Sequence, residues 1–405
     1  MRVAIVADVY PPLRSSGAVQ LRDLSREFVR QGHDTTVLVA SPELNSAFRI
    51  DEQDGITIAR LRSPKTKDVG YVRRMAGEFL MPFAMKRNYR KSPIADRRYD
   101  AVIWYSPTIF LAPIIRWLKR RNDCPSYLII RDIFPQWAAD MGLISRGPAF
   151  QLLDQVARYQ FRSADVIGVQ TPGNLSFFDN FRAAHAECQL EVLQNWLGDA
   201  PDRGCSIDLE ATKLAGRRIF VYAGNMGVAQ QMDKLLDCAV AMRDRDDIGF
   251  LFVGRGSETD RLSQLAAERS PDTILFQDEI SPDDIPGLYA QCDVGLICLD
   301  SRHRTHNIPG KFLTYMQAGL PVLASINDGN DLQKMVEMRN VGRVSVAADG
   351  ADLPSLANAL IERELADPAI ADRCRALSNE LFSARAAVGQ ILNAVTQRCT
   401  RSTRN

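Results

Sequence analysis

Short apolar runs rich in β-branched residues alternate with amphipathic stretches along most of the chain. Residues 3–7 form the first run, which ends at Asp8 before a Pro11-Pro12 loop and Ser15-Ser16-Gly17. Leu21, Leu24, Phe28 and Val29 then share one face at helical spacing. Gly32 stops that helix, and residues 36–40 give the next strand. Runs at 101–104, 127–130, 166–169 and 190–193 continue the rhythm. Strand, helix, strand is the opening of a parallel α/β sheet.

The rhythm breaks over 195–217, where Gly198, Pro201, Gly204 and Gly216 stand among mixed charges, a linker composition. It resumes with strands at 218–222, 249–253, 273–276, 294–298, 322–324 and 343–346. Val388, Ile391, Leu392 and Val395 repeat at helical spacing near the end. The pattern predicts two doubly wound α/β domains, 1–194 and 218–375, joined by a linker at 195–217 and followed by a helical segment at 376–405. Their strand ends are expected to face one cleft, where such sheets bind ligands.

A length of 405 residues suits two domains. Fifty Lys and Arg against 49 Asp and Glu leave a net charge of +1, which argues against a nucleic-acid binder and against a disordered polyelectrolyte. Eight cysteines without a CxxC pair are too sparse for a disulfide scaffold and predict buried thiols in the cytoplasm. No run of about 18 uncharged apolar residues is present to span a bilayer. Met1-Arg2 leads directly into an apolar strand, unlike a signal peptide.

The distribution of charge changes the picture more than its sum. Residues 60–98 hold twelve basic and three acidic residues, a net of +9, so the rest of the chain carries −8. Tyr71, Met75, Phe79, Leu80, Met81, Phe83, Met85 and Tyr89 are interleaved with them. Apolar residues 109–115 run into Arg116, Trp117, Lys119, Arg120 and Arg121. Basic-aromatic segments of this kind lie among the headgroups of anionic membranes, so 60–121 is expected to face a membrane surface. The plainer alternative is a positive helix packed normally on its sheet. Nucleic acid is the lesser rival, because no binding motif accompanies the charge.

Several strand ends carry candidate chemistry. The first loop has one glycine, Gly17, and no GxGxxG, which argues against a dinucleotide dehydrogenase. Gly17 at a helix start either approaches a phosphate or serves as a turn glycine. In the second domain, Ala223-Gly224-Asn225-Met226-Gly227 predicts a tight turn with exposed amides. Arg255, between Gly254 and Gly256, either reaches a diphosphate or pairs with a surface carboxylate. Ser257 with Asp260 reads as a helix cap. The segment 301–311 concentrates Arg302, Arg304, Lys311, His303 and His306 at a helix start with Pro309 in its first turn, which favours an anion trap over a solvated basic loop. His303 and His306 lack the further ligands of a zinc site. Asp132 follows a strand of the first domain, facing the cleft or capping a helix that starts at Pro135. Asp244-Arg245-Asp246 precedes a strand and reads as a solvated turn.

Taken in order, several strings resemble family 4 glycosyltransferases: "MRVAIVADVYPP" with "SGA", "VLQNWLGD", "VYAGNMGVAQQMDKLLD", "FLFVGRGSETDRL", "ILFQDEISPDDIPGLYAQCDVGLICL" and "NIPGKFLTYMQAGLPVLA". "NIPGKFLTYM" with "RDIFPQWAADMGLI" is most similar to the L-fucosamine transferases of O-antigen and capsule clusters. The resemblance implies a GT-B fold of two Rossmann-like domains, the first for the acceptor and the second for the nucleotide sugar. It implies retaining transfer without an obligatory metal or other cofactor, and a C-terminal helix that crosses back to the first domain. It implies that Asn225, Gly227, Arg255 and Lys311 surround the diphosphate, with Gly17 approaching from the other domain and the backbone near Ile280 meeting the base. The expected partners are a UDP-sugar donor, an undecaprenyl-diphosphate-linked sugar acceptor and an anionic membrane surface on the cytoplasmic side, with no nucleic acid.

The chain departs from the family pattern at instructive places. The usual pair of glutamates falls on His306 and Thr314, so Thr314 offers one weaker hydrogen bond to the ribose. The usual Arg and Lys after the first strand of the second domain fall on Asn225 and about Gln230. The usual His-Asp is Arg131-Asp132, which leaves Asp132 as the candidate catalytic residue, orienting the acceptor or stabilising oxocarbenium charge. Two other readings stand beside this one: an inactive membrane-bound assembly partner, which the lost glutamates motivate, and a different reaction on the same fold, a UDP-sugar epimerase or hydrolase.

Overall fold

The computed structural model describes residues 1–13, 15–199, 204–299 and 308–402, which form two compact units: Met1–Gly198 with the C-terminal segment from Ala384, and Asp199–Ser383. In the first unit the chain runs β1 (Arg2–Ala7), α1 (Ser16–Arg30), β2 (Asp34–Ser41), β3 (Phe48–Gln53), β4 (Ile56–Arg62), α2 (Tyr71–Tyr89), β5 (Ala101–Ser106), α3 (Ala112–Asn122), β6 (Ser126–Ile130), α4 (Gln136–Asp140), α5 (Pro148–Phe161), β7 (Val166–Val169), α6 (Asp179–Ala184) and β8 (Gln189–Val192). The eight strands order as β3-β4-β2-β1-β5-β6-β7-β8, parallel except for β3. Central strands such as β1 and β5 are apolar throughout because helices cover both faces of the sheet.

The β3–β4 hairpin is an addition to the pattern read from sequence. Its loop is Asp54-Gly55, both at positive φ (53° and 75°), the backbone that a two-residue hairpin turn requires. Only β4 is buried, and β3 is a polar edge, so no apolar run announces it.

The basic region divides between surface and core. Met81, Met85 and Tyr89 of α2 are buried against the sheet, whereas Tyr71, Val72, Phe79, Leu80 and Phe83 are exposed. The second segment corrects the expectation of a membrane-facing surface. Ile109, Phe110, Leu111, Ala112, Ile114 and Ile115 are all buried, because the loop and first turn of α3 close the apolar core over β5 and β6. Their basic neighbours mark only the outer side of that helix.

The second unit runs β9 (Arg218–Ala223), α7 (Asp233–Ala241), β10 (Ile248–Val253), α8 (Thr259–Arg269), β11 (Ile274–Gln277), α9 (Ile285–Tyr289), β12 (Val294–Cys298), α10 (Gly310–Ala318), β13 (Val322–Ser325), α11 (Asp331–Arg339), β14 (Gly342–Ser345), α12 (Leu353–Arg363) and α13 (Ile370–Leu381). Its six parallel strands order as β11-β10-β9-β12-β13-β14. α8 starts one residue later than a Ser257 cap requires. Glu258 occupies the cap position and makes no side-chain cap bond.

The last helix, α14 (Ala384–Ser402), packs with the first unit. Val388, Ile391 and Val395 join Leu21, Leu24 and Phe28 of α1 in one core. Gln390 Nε2 donates to Glu191 Oε1 at 2.8 Å and to the Val192 carbonyl at 2.7 Å, which ties the helix to the end of β8.

Candidate functional site

In each sheet, crossovers leave the first strand in opposite directions, and the reversal marks where ligands bind. In the second unit it lies between β9 and β12. These strands pair only through Val294 with Phe220 and Gly295 with Val221. Beyond that point they splay, and the buried Tyr315 hydroxyl of α10 lies 3.0 Å from the Val221 carbonyl and 3.2 Å from that of Leu296. A Cβ on Gly295 would stand 2.4 Å from the Tyr315 ring, so glycine there makes room for it.

The two glycine turns pack backbone against backbone. A Cβ on Gly254 would fall 2.1 Å from the Gly224 carbonyl oxygen, and one on Gly256 would fall 2.1 Å from that of Met226. The Gly224 amide donates to the Val253 carbonyl at 2.8 Å and the Met226 amide to the Arg255 carbonyl at 2.9 Å. The Gly227 amide donates to Gln230 Oε1 at 3.0 Å, which also accepts from Asn225 Nδ2 at 3.0 Å. This corrects the expectation of exposed amides. The glycines allow close approach of two loops, and three of the turn's N–H groups are satisfied within the protein.

Lys311, in the first turn of α10, meets this turn. Its Cε and Nζ lie 2.9 Å from where a Gly224 Cβ would be, and its Nζ lies 4.5 Å from the Tyr222 ring centroid. Among the described residues no carboxylate pairs with the ammonium, and burial lowers its pKa to about 8. Thr314, one turn further on, donates its hydroxyl to the Lys311 carbonyl at 2.9 Å, so its proton is already engaged. Arg255 is 81% exposed and pairs with Glu279 at 3.0 Å, the surface arrangement left open by the sequence. Ile280 follows Glu279 and is half-buried. His306 and the rest of 301–307 lie outside the described residues. Among the described residues, no group of His, Cys, Asp and Glu is placed to hold a metal ion.

Gly17 and Asp132 belong to the first unit. Gly17 is the second residue of α1, and a Cβ there would stand 3.1 Å from Tyr105 Cε1, a tight contact that the ring would have to relieve by a small shift. Asp132 is exposed just past β6, and α4 carries no side-chain cap. Its neighbour Arg131 is only 7% exposed, 4.3 Å from the Trp196 ring centroid, with Nη1 donating to the Leu193 carbonyl at 3.4 Å.

Sequence reasoning passed over Asp8 as a site residue. Its Oδ1 is buried and without a hydrogen-bond partner among the described residues, and burial pushes the carboxyl up to about 6. The signal available was position alone: a carboxylate immediately after the first apolar strand.

Residues 17–195 match the pattern of the family described as "Glycosyl transferase 4-like domain", and residues 217–363 match "Glycosyl transferases group 1". The chain is 25% identical over 283 residues to WbjE of Pseudomonas aeruginosa, named as a glycosyltransferase, covering 66% of this chain and 68% of that one. It is 24% identical over 352 residues to WcaI of Escherichia coli strain K12, named for glycosyl transfer in colanic acid biosynthesis, covering 79% and 82%. The crystal structure of Anabaena Alr3699/HepE in complex with UDP superposes with a TM-score of 0.69 at 16% identity, over 98% of this chain and all of that one. WaaG, a glycosyltransferase involved in lipopolysaccharide biosynthesis, superposes with a TM-score of 0.61 at 14% identity, over 97% and 99%. At these identities the solved structures speak for the fold.

Proposed function

We propose, on the premise that this chain is a family 4 glycosyltransferase of the GT-B fold, that it transfers a sugar from a UDP-sugar to a lipid-linked acceptor sugar during assembly of a bacterial surface polysaccharide such as O-antigen. N-acetyl-L-fucosamine or a related amino or deoxy sugar is the donor sugar of this reading. The observation that carries it is Lys311, a desolvated ammonium at a helix N-terminus beside the strand reversal, which no carboxylate among the described residues pairs. An isolated buried cation is costly and gains most from an anionic ligand. A diphosphate supplies that anion, and its charge grows as it leaves, so a cation fixed in advance stabilises the departing group.

In the retaining transfer, the bond from C1 to the phosphate oxygen breaks while a bond from the acceptor oxygen to C1 forms. The acceptor's proton passes to the leaving phosphate. Asn225, Gly227 and Gln230 hold the turn beneath the phosphates, Thr314 offers an acceptor oxygen to the ribose, and Arg255 adds long-range positive charge. The turn's own hydrogen bonds give it one shape before ligand arrives, which lowers the cost of binding.

A lipid-linked acceptor requires access to a membrane. Among the described residues no helix is long and apolar enough to cross one. The exposed face of α2 supports peripheral docking on the cytoplasmic leaflet, with Phe79, Leu80 and Phe83 57%, 53% and 49% exposed beside Arg73, Lys86 and Arg87.

Thermal unfolding with UDP, GDP, ADP, dTDP and NAD tests the donor. UDP is expected to raise the melting temperature and Lys311→Ala to lose most of that rise, since a ligand bound only by the native state stabilises it. A rise with NAD alone, or an undiminished UDP effect in Lys311→Ala, contradicts the reading.

A further inference from the structure

At the carboxyl end of the first unit's sheet, the enclosed oxygen of one carboxylate has no hydrogen-bond partner among the described residues. Asp8 directly follows β1, and the sheet order reverses between β1 and β5. That is the position where a doubly wound sheet leaves a crevice for a ligand. The side chain is half-buried, its Oδ1 is enclosed, and no hydrogen bond from another described residue reaches it. The charged groups acting on it are Lys67, from the segment after β4, and Glu78, on α2. The Tyr105 phenol, on β5, lies in the combined field of Arg131, Asp132 and Asp8. Groups from the ends of β1, β5 and β6 therefore converge on one place.

A buried oxygen without a donor costs stability, and residues retained at such a cost concentrate where function requires them. The missing partner is a donor. A cationic donor would meet the charge of Lys67. A neutral hydroxyl meets no such repulsion and satisfies the enclosed oxygen.

We propose that Asp8 accepts the hydrogen bond of the attacking hydroxyl of the acceptor sugar, and so orients the acceptor in the first unit. This rests on the reading that the first unit takes a sugar acceptor. Asp8 stays charged throughout. The hydroxyl proton goes to the leaving phosphate oxygen as the new bond to C1 forms, so the carboxylate neither gains nor loses a proton. Burial sets the pH range of this role: the accepting form predominates above about pH 6, the value to which the carboxyl is raised.

The test uses the full chain, with the methyl glycosides of glucose, galactose and N-acetylglucosamine as acceptor probes and UDP as an independent control. Binding is read from the shift in melting temperature for the wild type and for Asp8→Asn. At least one glycoside is expected to stabilise the wild type, increasingly as pH rises through about 6. Asp8→Asn is expected to bind it about tenfold more weakly or worse, with the pH dependence gone and the UDP shift unchanged. Without ligand, Asp8→Asn is expected to melt higher than the wild type near neutral pH. Equal glycoside binding by both proteins overturns the proposal, as does the absence of any glycoside shift while UDP still acts. An Asp8→Asn protein that melts lower overturns it too, by marking a structural carboxylate. If UDP stabilises neither protein, the donor reading fails, and the glycoside comparison still decides the role of Asp8.

Discussion

Two ionisable groups, one in each unit, carry the chemical argument, and both are shifted by burial in the direction that disfavours charge. For Asp8 the folded pKa, about 6, lies above the ordinary value of an aspartate, about 4. Its protonated form is therefore favoured by folding. Its contribution to stability is greatest below about pH 4 and is lost as pH rises through 6. Asp8→Asn should remove that loss, a gain of about 3 kcal/mol near neutral pH that fades toward pH 4, measured by urea denaturation across that range. No sequence pattern reveals this, because a strand-ending Asp reads the same whether or not a donor reaches it. The glycine turns, by contrast, were legible at Gly224, Gly227, Gly254 and Gly256. The fate of their amides was not, since it depends on loops about thirty residues apart meeting backbone to backbone.

At the scale of elements, apolar runs located the buried strands well, because a strand covered on both faces must be apolar throughout. The polar edge strand β3 escaped, although Asp54-Gly55 signals a hairpin turn. Residues 109–115 show the opposite failure. An apolar run followed by basic residues has the composition of a membrane segment whether it lies under a sheet or on a surface, and here it is core. α2 keeps the property that 109–115 lose. Phe79→Ser with Phe83→Ser should abolish co-sedimentation with anionic vesicles while leaving the melting temperature nearly unchanged, since both rings are exposed. Met85→Ala, which cuts a fully buried side chain on the same helix, should instead cost about 2–5 kcal/mol. If the double Ser variant sediments like the wild type, α2 is not the docking face.

At the scale of the molecule, the chain alternates between its two units, entering the second after Gly198 and returning to the first at Ala384. Removing α14 would expose Leu21, Leu24 and Phe28, which its Val388, Ile391 and Val395 cover. A chain ending at Ser383 should lose most of the first unit's cooperative unfolding and keep the UDP-induced stabilisation of the second, as followed by calorimetry. Loss of the UDP effect together with the first unit's transition would place the nucleotide elsewhere. The Lys311 ammonium, which no carboxylate among the described residues pairs, is proposed to meet the nucleoside diphosphate. An ammonium whose pKa burial lowers to about 8 is only partly protonated near pH 8, and a diphosphate beside it raises that pKa again. The most direct test is titration calorimetry of UDP near pH 8 in buffers of different ionisation enthalpy. Uptake of a fraction of a proton per UDP bound, absent in Lys311→Met, is the predicted result. UDP binding with no proton uptake, or with the same uptake in Lys311→Met, would contradict the account.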